Sequence, residues 1–216
     1  MTKSLIIFDL DGTLIDSVPD LADGVDKMLA HFDKPPAGTD NVRTWVGNGS
    51  TKLVERALVW AGLSLDNLHH AHELFLTEYA TCQDKTVEYD GVTDGLNCLI
   101  KQGLTLALCT NKPAQFLPDI LANMGWTDKF ACIIGGDNLP TKKPDPAPLL
   151  HICTTLGIDK SQAVMVGDSK NDITAGQNAG ITTLALTYGY NYGEPIADSR
   201  PDGVFDNFGD LVAFLL

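Results

Sequence analysis

The chain is poor in positive charge, in paired cysteines and in long apolar runs. Its 15 lysines and arginines face 28 aspartates and glutamates, a formal net charge of −13. Nucleic acid and anionic membrane are bound through clustered Lys and Arg, so neither is an expected partner. Five cysteines, Cys82, Cys98, Cys109, Cys132 and Cys153, are odd in number, widely spaced and without a CxxC pair. They read as small buried hydrophobes rather than disulfides or zinc ligands. The first apolar run, inside MTKSLIIFDLDG, stops after four residues, too short for a signal peptide or a bilayer span, which makes a cytoplasmic location the expectation. Low-complexity tracts and internal repeats are missing as well. What remains, at 216 residues with 44% hydrophobic and 20% charged, is a globular composition long enough for a core and a smaller module.

Short β-rich runs fall at Leu5 to Phe8, Leu104 to Cys109, Ala131 to Ile134, Ala163 to Val166 and Thr182 to Leu186, with Val204 and Phe205 as a further candidate. Helical patterns separate the later ones, at 92–102, 114–124, 147–156 and 172–179, each followed by a glycine stop. Alternating strands and helices with near-continuous apolar strands predict an α/β fold, a parallel sheet covered by helices on both faces. About a hundred residues separate the first two strands, where a βαβ crossover needs a few dozen. Within that stretch Leu21, Val25, Met28, Leu29 and Phe32 recur at helical spacing, as do Leu53, Val54, Ala57, Leu58 and Ala61, and then Leu68, Phe75 and Tyr79. The expected organisation is a discontinuous core, 1–15 and 87–216, with an all-helical domain inserted at 16–86.

The first strand ends in FDLDGT, so Asp9 and Asp11 share one side of it at its C-terminal end, where open parallel sheets bind ligands. AVMVGDSKND repeats the theme, with Asp168 just past a strand and Asp172 at the start of a helix. Two carboxylates about 4 Å apart repel by roughly 4 kcal/mol at an effective dielectric near 20, so a convergent set calls for a cation. Oxygen ligands without a plausible His or Cys set favour Mg²⁺. Taken singly, each aspartate is equally readable as a turn or N-cap residue. A third strand end supplies Thr110 and Asn111, able to hydrogen-bond phosphate oxygens beside a helix N-terminus. TKKPDPAPLL offers Lys143 ahead of a proline, either a point charge for phosphate or a solvated lysine.

DLDGT, TN, KKP and GDSKND, in that order across nearly the whole chain, resemble the four motifs of the haloacid dehalogenase-like superfamily. The resemblance implies a Rossmann-like core with a helical cap inserted after the first motif. It implies Asp9 as nucleophile and Asp11 as acid/base, Thr110, Asn111 and Lys143 as phosphate ligands, and Asp9, Asp11 and Asp168 around Mg²⁺. Asp172 would support the metal site and orient Lys143. The superfamily's dehalogenases lack a carboxylic acid two residues after the nucleophile, because a halide leaves without a proton; Asp11 therefore favours ester hydrolysis. A phosphoaccepting receiver domain also combines Asp, Thr and Lys, but it carries no large insertion and places its acceptor on a middle strand.

RTWVGNGSTKLVERAL at 43–58, DSVPDLADGVDKML at 16–29 and TYGYNYGE at 187–194 resemble the phosphoglycolate phosphatases of that superfamily, implying 2-phosphoglycolate as a small anionic substrate. A sugar-phosphate phosphatase or phosphoglucomutase-like enzyme is the alternative, and a non-catalytic phosphoaccepting protein a distant third. A glycolate carboxylate needs a cation or N–H donors: Gly47, Asn48 and Gly49 ahead of a helix offer donors, and Arg43 and Arg56 offer charge. A plain helix break and solvated arginines are the competing readings. The histidines at 69, 70 and 72 read as an exposed helix face, not a metal site, and Tyr188, Tyr190 and Tyr192 as a packed loop near the cap or an interface.

Overall fold

A four-residue stretch that is wholly apolar and wholly buried, Leu5–Phe8, has no polar face to turn to water and fits only a sheet sandwiched between layers. The computed structural model describes residues 3–82 and 84–216. The chain opens with β1 (Leu5–Phe8) and β2 (Ile15–Asp16). It then runs through α1 (Val18–Ala30), α2 (Gly38–Arg43), α3 (Ser50–Trp60) and α4 (Leu68–Tyr79), and returns at β3 (Val87–Glu88). From there it alternates through α5 (Val92–Lys101), β4 (Thr105–Cys109), α6 (Leu117–Asn123), β5 (Cys132–Ile134), α7 (Ala147–Leu156), β6 (Ala163–Gly167), α8 (Lys170–Ala179) and β7 (Thr182–Leu186). It ends with β8 (Gly203–Phe205) and α9 (Phe208–Leu215).

Six strands form one parallel sheet in the order β5-β4-β1-β6-β7-β8, as the alternating pattern predicts. Side chains alternate along β1: Ile6 and Phe8 pack with Leu96, Leu99 and Phe208 of α5 and α9, while Leu5 and Ile7 pack with Leu149, Ile152 and Ala175 of α7 and α8. Because β1 lies between β4 and β6, the order of strands reverses beside it, and the crevice at its C-terminal end is the natural ligand position.

In the inserted stretch α1 packs against α2, α3 and α4, through Val25, Met28, Leu29, Val54, Leu58 and Phe75. Where the chain leaves and re-enters the sheet domain, β2 and β3 pair antiparallel, Ile15 opposite Glu88 and Asp16 opposite Val87. Two residues per strand are too few for a period-two signal, so this ribbon is invisible in the sequence. Next to it the fully buried Asp20 accepts hydrogen bonds from the backbone N–H groups of Lys85 and Thr86 and from the Thr86 hydroxyl.

Two local expectations need correction. The helix expected over 114–124 starts as a 3-10 turn and becomes α-helical only at Leu117; Pro118 has no N–H to bond the Ala114 carbonyl, so the α ladder cannot begin earlier. Asp172 is not the first residue of its helix: Ser169 is the N-cap and Asp172 the third helical residue, the two joined in a capping box. Among the described residues no helix is long and apolar enough to cross a membrane.

Candidate active site

Four strand ends meet in the crevice. Asp9 follows β1 directly, its N–H bonded to the Val166 carbonyl of β6, which draws the Asp168 loop alongside. Gly12 makes the next turn at φ +91°, and a Cβ there would lie 2.3 Å from Asp168 Oδ2. A side chain is therefore barred both by conformation and by space. Thr13 Oγ1 and the Tyr190 N–H each donate to Asp168, at 2.8 and 2.7 Å. Asp172 folds back through its capping box and accepts from the Ser169 N–H and hydroxyl.

Asp9, Asp168 and Asp172 are all buried and each offers an oxygen within 4.8 Å of the others'. Lys143 reaches into this trio, with Nζ 2.9 Å from Asp9 Oδ1 and 2.6 Å from Asp172 Oδ1. It is fixed from behind by the Cys109 carbonyl. One lysine against three carboxylates leaves negative charge uncompensated. Burial is the main force pushing the Asp9 carboxyl up, to about 7; Lys143 opposes this, while Asp172 and Asp11 add to it. Burial, then Asp172 and Asp9, hold Asp168 well above the ordinary carboxylate range. For Lys143 burial disfavours the charge, but Asp172 and Asp9 outweigh it and the ammonium is held above its usual value. An all-oxygen, buried cluster of three carboxylates with a single ammonium against it fits a hard divalent cation and does not fit zinc or copper.

Asp11 stands outside the trio. Its carboxylate accepts from Ser17 Oγ at 2.5 Å and from Lys112 Nζ at 3.0 and 3.3 Å. The carboxylates that come together are thus Asp9, Asp168 and Asp172, whereas the resemblance grouped Asp9, Asp11 and Asp168. Thr110 is buried and lines the same cavity as Asp9 and Asp11. Asn111 also lines it, but its amide N–H groups are spent on the carbonyls of Gly47 and Lys143, at 2.9 and 2.8 Å.

That cavity separates the strand ends from the inserted helices and is walled on their side by Leu21, Val46, Leu53, Phe75 and Tyr79. Gly47 and Gly49 border it; Arg43, Asn48 and Arg56 do not. Arg43 pairs with Asp16 at 3.1 Å and covers the Tyr190 ring. Arg56 donates to the Trp45 carbonyl and to Asn48 Oδ1 and covers the Tyr192 ring. The Gly47 carbonyl accepts from both Asn111 and Asn171, so the 47–49 loop is bonded directly onto the strand-end loops. Gly47 sits at φ +119°, and a Cβ on it would be 2.6 Å from the Tyr192 hydroxyl. The tyrosine loop packs the junction: Tyr190 donates to Asp16 Oδ1 and accepts from the Ser17 N–H, and Tyr188 donates to the Thr13 carbonyl. His69 and His72 find Glu73 and Ser50 as separate partners, while the edge of the His70 ring meets Phe32. Asp9, Asp168 and Asp172 are the metal-capable group among the described residues.

Sequence reasoning passed over Lys112. It is buried, pairs with Asp11 and lies 4.9 Å from the centre of the Tyr79 ring. Burial works against its charge, yet Asp11 and Tyr79 hold the ammonium above the ordinary lysine range. Its place directly after Thr110 and Asn111 at a strand end was the available signal.

The family model described as haloacid dehalogenase-like hydrolase matches residues 6–186. A phosphoglycolate phosphatase of Psychrobacter arcticus is 54% identical over 223 residues, covering 100% of this chain and 97% of its own. Phosphoglycolate phosphatase 1 of Pseudomonas aeruginosa is 48% identical over 212 residues, 96% of this chain and 78% of its own. Among solved structures, one described as a predicted phosphoglycolate phosphatase from Haemophilus somnus superposes with a TM-score of 0.95 at 39% identity, covering 100% of this chain and 99% of that one.

Proposed function

The chain belongs to the haloacid dehalogenase-like hydrolases, and from that premise we propose that it hydrolyses 2-phosphoglycolate to glycolate and phosphate. The observation that carries the chemistry is the pairing of Asp9, buried and next to Lys143, with Asp11, which lines the same cavity two residues on. The names of its relatives support the choice of ester.

Asp9 attacks phosphorus, forming the aspartyl-phosphate and breaking the bond to the glycolate oxygen. Asp11 gives that oxygen its proton. It then takes a proton from the incoming water, which attacks phosphorus and frees Asp9. A phosphate dianion repels an anionic nucleophile, so positive charge must be in place first. Lys143 supplies part of it at the strand ends, the Thr110 hydroxyl adds a hydrogen-bond donor, and Asn111 ties its own loop to the Lys143 carbonyl. Asp9, Asp168 and Asp172 would hold Mg²⁺, which would supply the remaining positive charge for the phosphate. The helices of residues 16–86 act as the cap over the cavity, excluding water and admitting only a small leaving group. The cell interior is its place of action.

Turnover of a panel of small phosphate esters, with and without Mg²⁺, tests the proposal. A strong preference for 2-phosphoglycolate that disappears on chelation is expected. Comparable turnover of hexose phosphates would transfer the protein to the sugar-phosphate branch.

A further inference from the structure

Glycolate leaves as an anion, and its carboxylate must be matched inside a cavity whose far wall is Leu21, Val46, Leu53 and Phe75, with Tyr79, Ser50 and the Gly47 and Gly49 backbone as its polar edge. The two arginines that sequence reading nominated are committed elsewhere, Arg43 to Asp16 and Arg56 to Trp45 and Asn48. Lys143 is held among Asp9, Asp172 and the Cys109 carbonyl. Among the described residues lining the cavity, Lys112 is the one cation.

Resting on the phosphoglycolate reading, we infer that Lys112 is the specificity-determining residue of this site: its ammonium, which touches Asp11 in the absence of substrate, also binds the carboxylate of the leaving group. The geometry leads there in two steps. Asp11 must reach the bridging ester oxygen, and in a two-carbon acid ester the carboxylate hangs one carbon from that oxygen. A cation 3.0 Å from Asp11 Oδ1 is therefore within reach of both. The Lys112 ammonium is also confined. Its backbone N–H bonds Thr110 Oγ1 at 3.2 Å, its carbonyl accepts from the Gly136 N–H at 2.8 Å, and the Tyr79 ring lies against it. Leu53 and Phe75 offer no competing polar partner on the opposite wall. In such surroundings an ion pair is strong when formed, and a leaving-group carboxylate without one is strongly disfavoured. A longer or neutral leaving group gains nothing from Lys112 and displaces the contact with Asp11 without replacing it.

The test is a double cycle crossing Lys112→Met with replacement of the substrate carboxylate by a carboxamide, reading kcat/KM for 2-phosphoglycolate and 2-phosphoglycolamide in Mg²⁺. The expected result is that the wild-type preference for the acid over the amide shrinks by about 10- to 100-fold in the variant, the range for a charge-assisted contact. Equal losses on both esters, or an unchanged preference, would overturn the role, leaving Lys112 as a partner of Asp11 alone. Thermal melts accompany the kinetics, and Lys112→Gln takes the same place in the cycle if the methionine variant melts early. A wild-type enzyme with no preference for the acid refutes the phosphoglycolate reading and this inference with it. A wild-type preference with additive losses refutes the inference only.

Discussion

A carboxylate that has lost its water is both a weak acid and an exposed nucleophile, and Asp9 is placed to be used as the second. Asp9→Asn is expected to lower kcat by at least about 10⁴-fold, as removal of a covalent nucleophile does. The melting temperature of the metal-free chain at pH 8 should not fall, because a neutral amide escapes the burial that pushes the Asp9 carboxyl up to about 7. Asp11→Asn should instead leave Asp9 able to react while leaving-group departure slows, visible as a larger loss for poor leaving groups than for an activated aryl phosphate. Steady-state hydrolysis at wild-type rates by Asp9→Asn would end the nucleophile assignment. The aspartates were legible because each stands at a strand end in a motif of fixed spacing. Lys112 was not, since a lysine in sequence carries no mark of burial, and only the folded chain shows its ammonium between Asp11 and Tyr79. Arg43 and Arg56 misled for the converse reason. A guanidinium near an anion site in sequence finds its own acceptors first, here Asp16, Asn48 and a backbone carbonyl.

Among the elements, the loop between α2 and α3 is the one on which both halves of the site depend. Two asparagines from different strand ends, Asn111 and Asn171, converge on the single carbonyl of Gly47, and Asn171 also reaches the Tyr192 hydroxyl and accepts from Asn48. Asn171→Ala removes three of these contacts. At about 0.5–1.5 kcal/mol for each hydrogen bond, the three together set the loss in kcat/KM at about tenfold or more, mainly through a higher KM. A lowered melting temperature with unchanged kcat/KM would show that the contacts merely brace the fold. The sheet and the long helices could be read ahead of the structure because short continuous apolar runs alternate with longer stretches of helical spacing that end in glycine. The β2–β3 ribbon and the 3-10 start before α6 could not, since two-residue strands carry no period and the second depends on one missing N–H at Pro118. The capping box at Ser169 and Asp172 was half visible: an acidic residue near a helix start, and through the resemblance its approach to Lys143, could be seen, but not that it sits at the third helical position and caps the helix.

For the molecule as a whole, the buried acids link folding to protons and, on the proposed reading, to a divalent cation. Asp9 has its folded value raised from 3.8 to about 7, so ionising it costs the folded state more than the unfolded one. The metal-free chain therefore loses stability from this group as pH rises through that interval, and no further above it. A divalent cation reverses the preference by favouring the ionised trio. Mg²⁺ at a hundred times its dissociation constant adds about 2.7 kcal/mol, roughly 5–10 °C in melting temperature for a chain of this length. That rise should shrink between pH 8 and pH 5.5, as protons compete for Asp9 and Asp168, and vanish in Asp168→Asn. Scanning calorimetry with and without Mg²⁺ reads all three, and an equal rise in Asp168→Asn would move the metal elsewhere. The paired passage of β2 and β3 also bears on what the stretch between them can tolerate. Since Asp16 departs opposite the point where Val87 arrives, everything between them is a bracketed excursion whose length never enters the register of β1 on β4. A segment of another length between the two strands would therefore leave the pairing of the parallel sheet as it is.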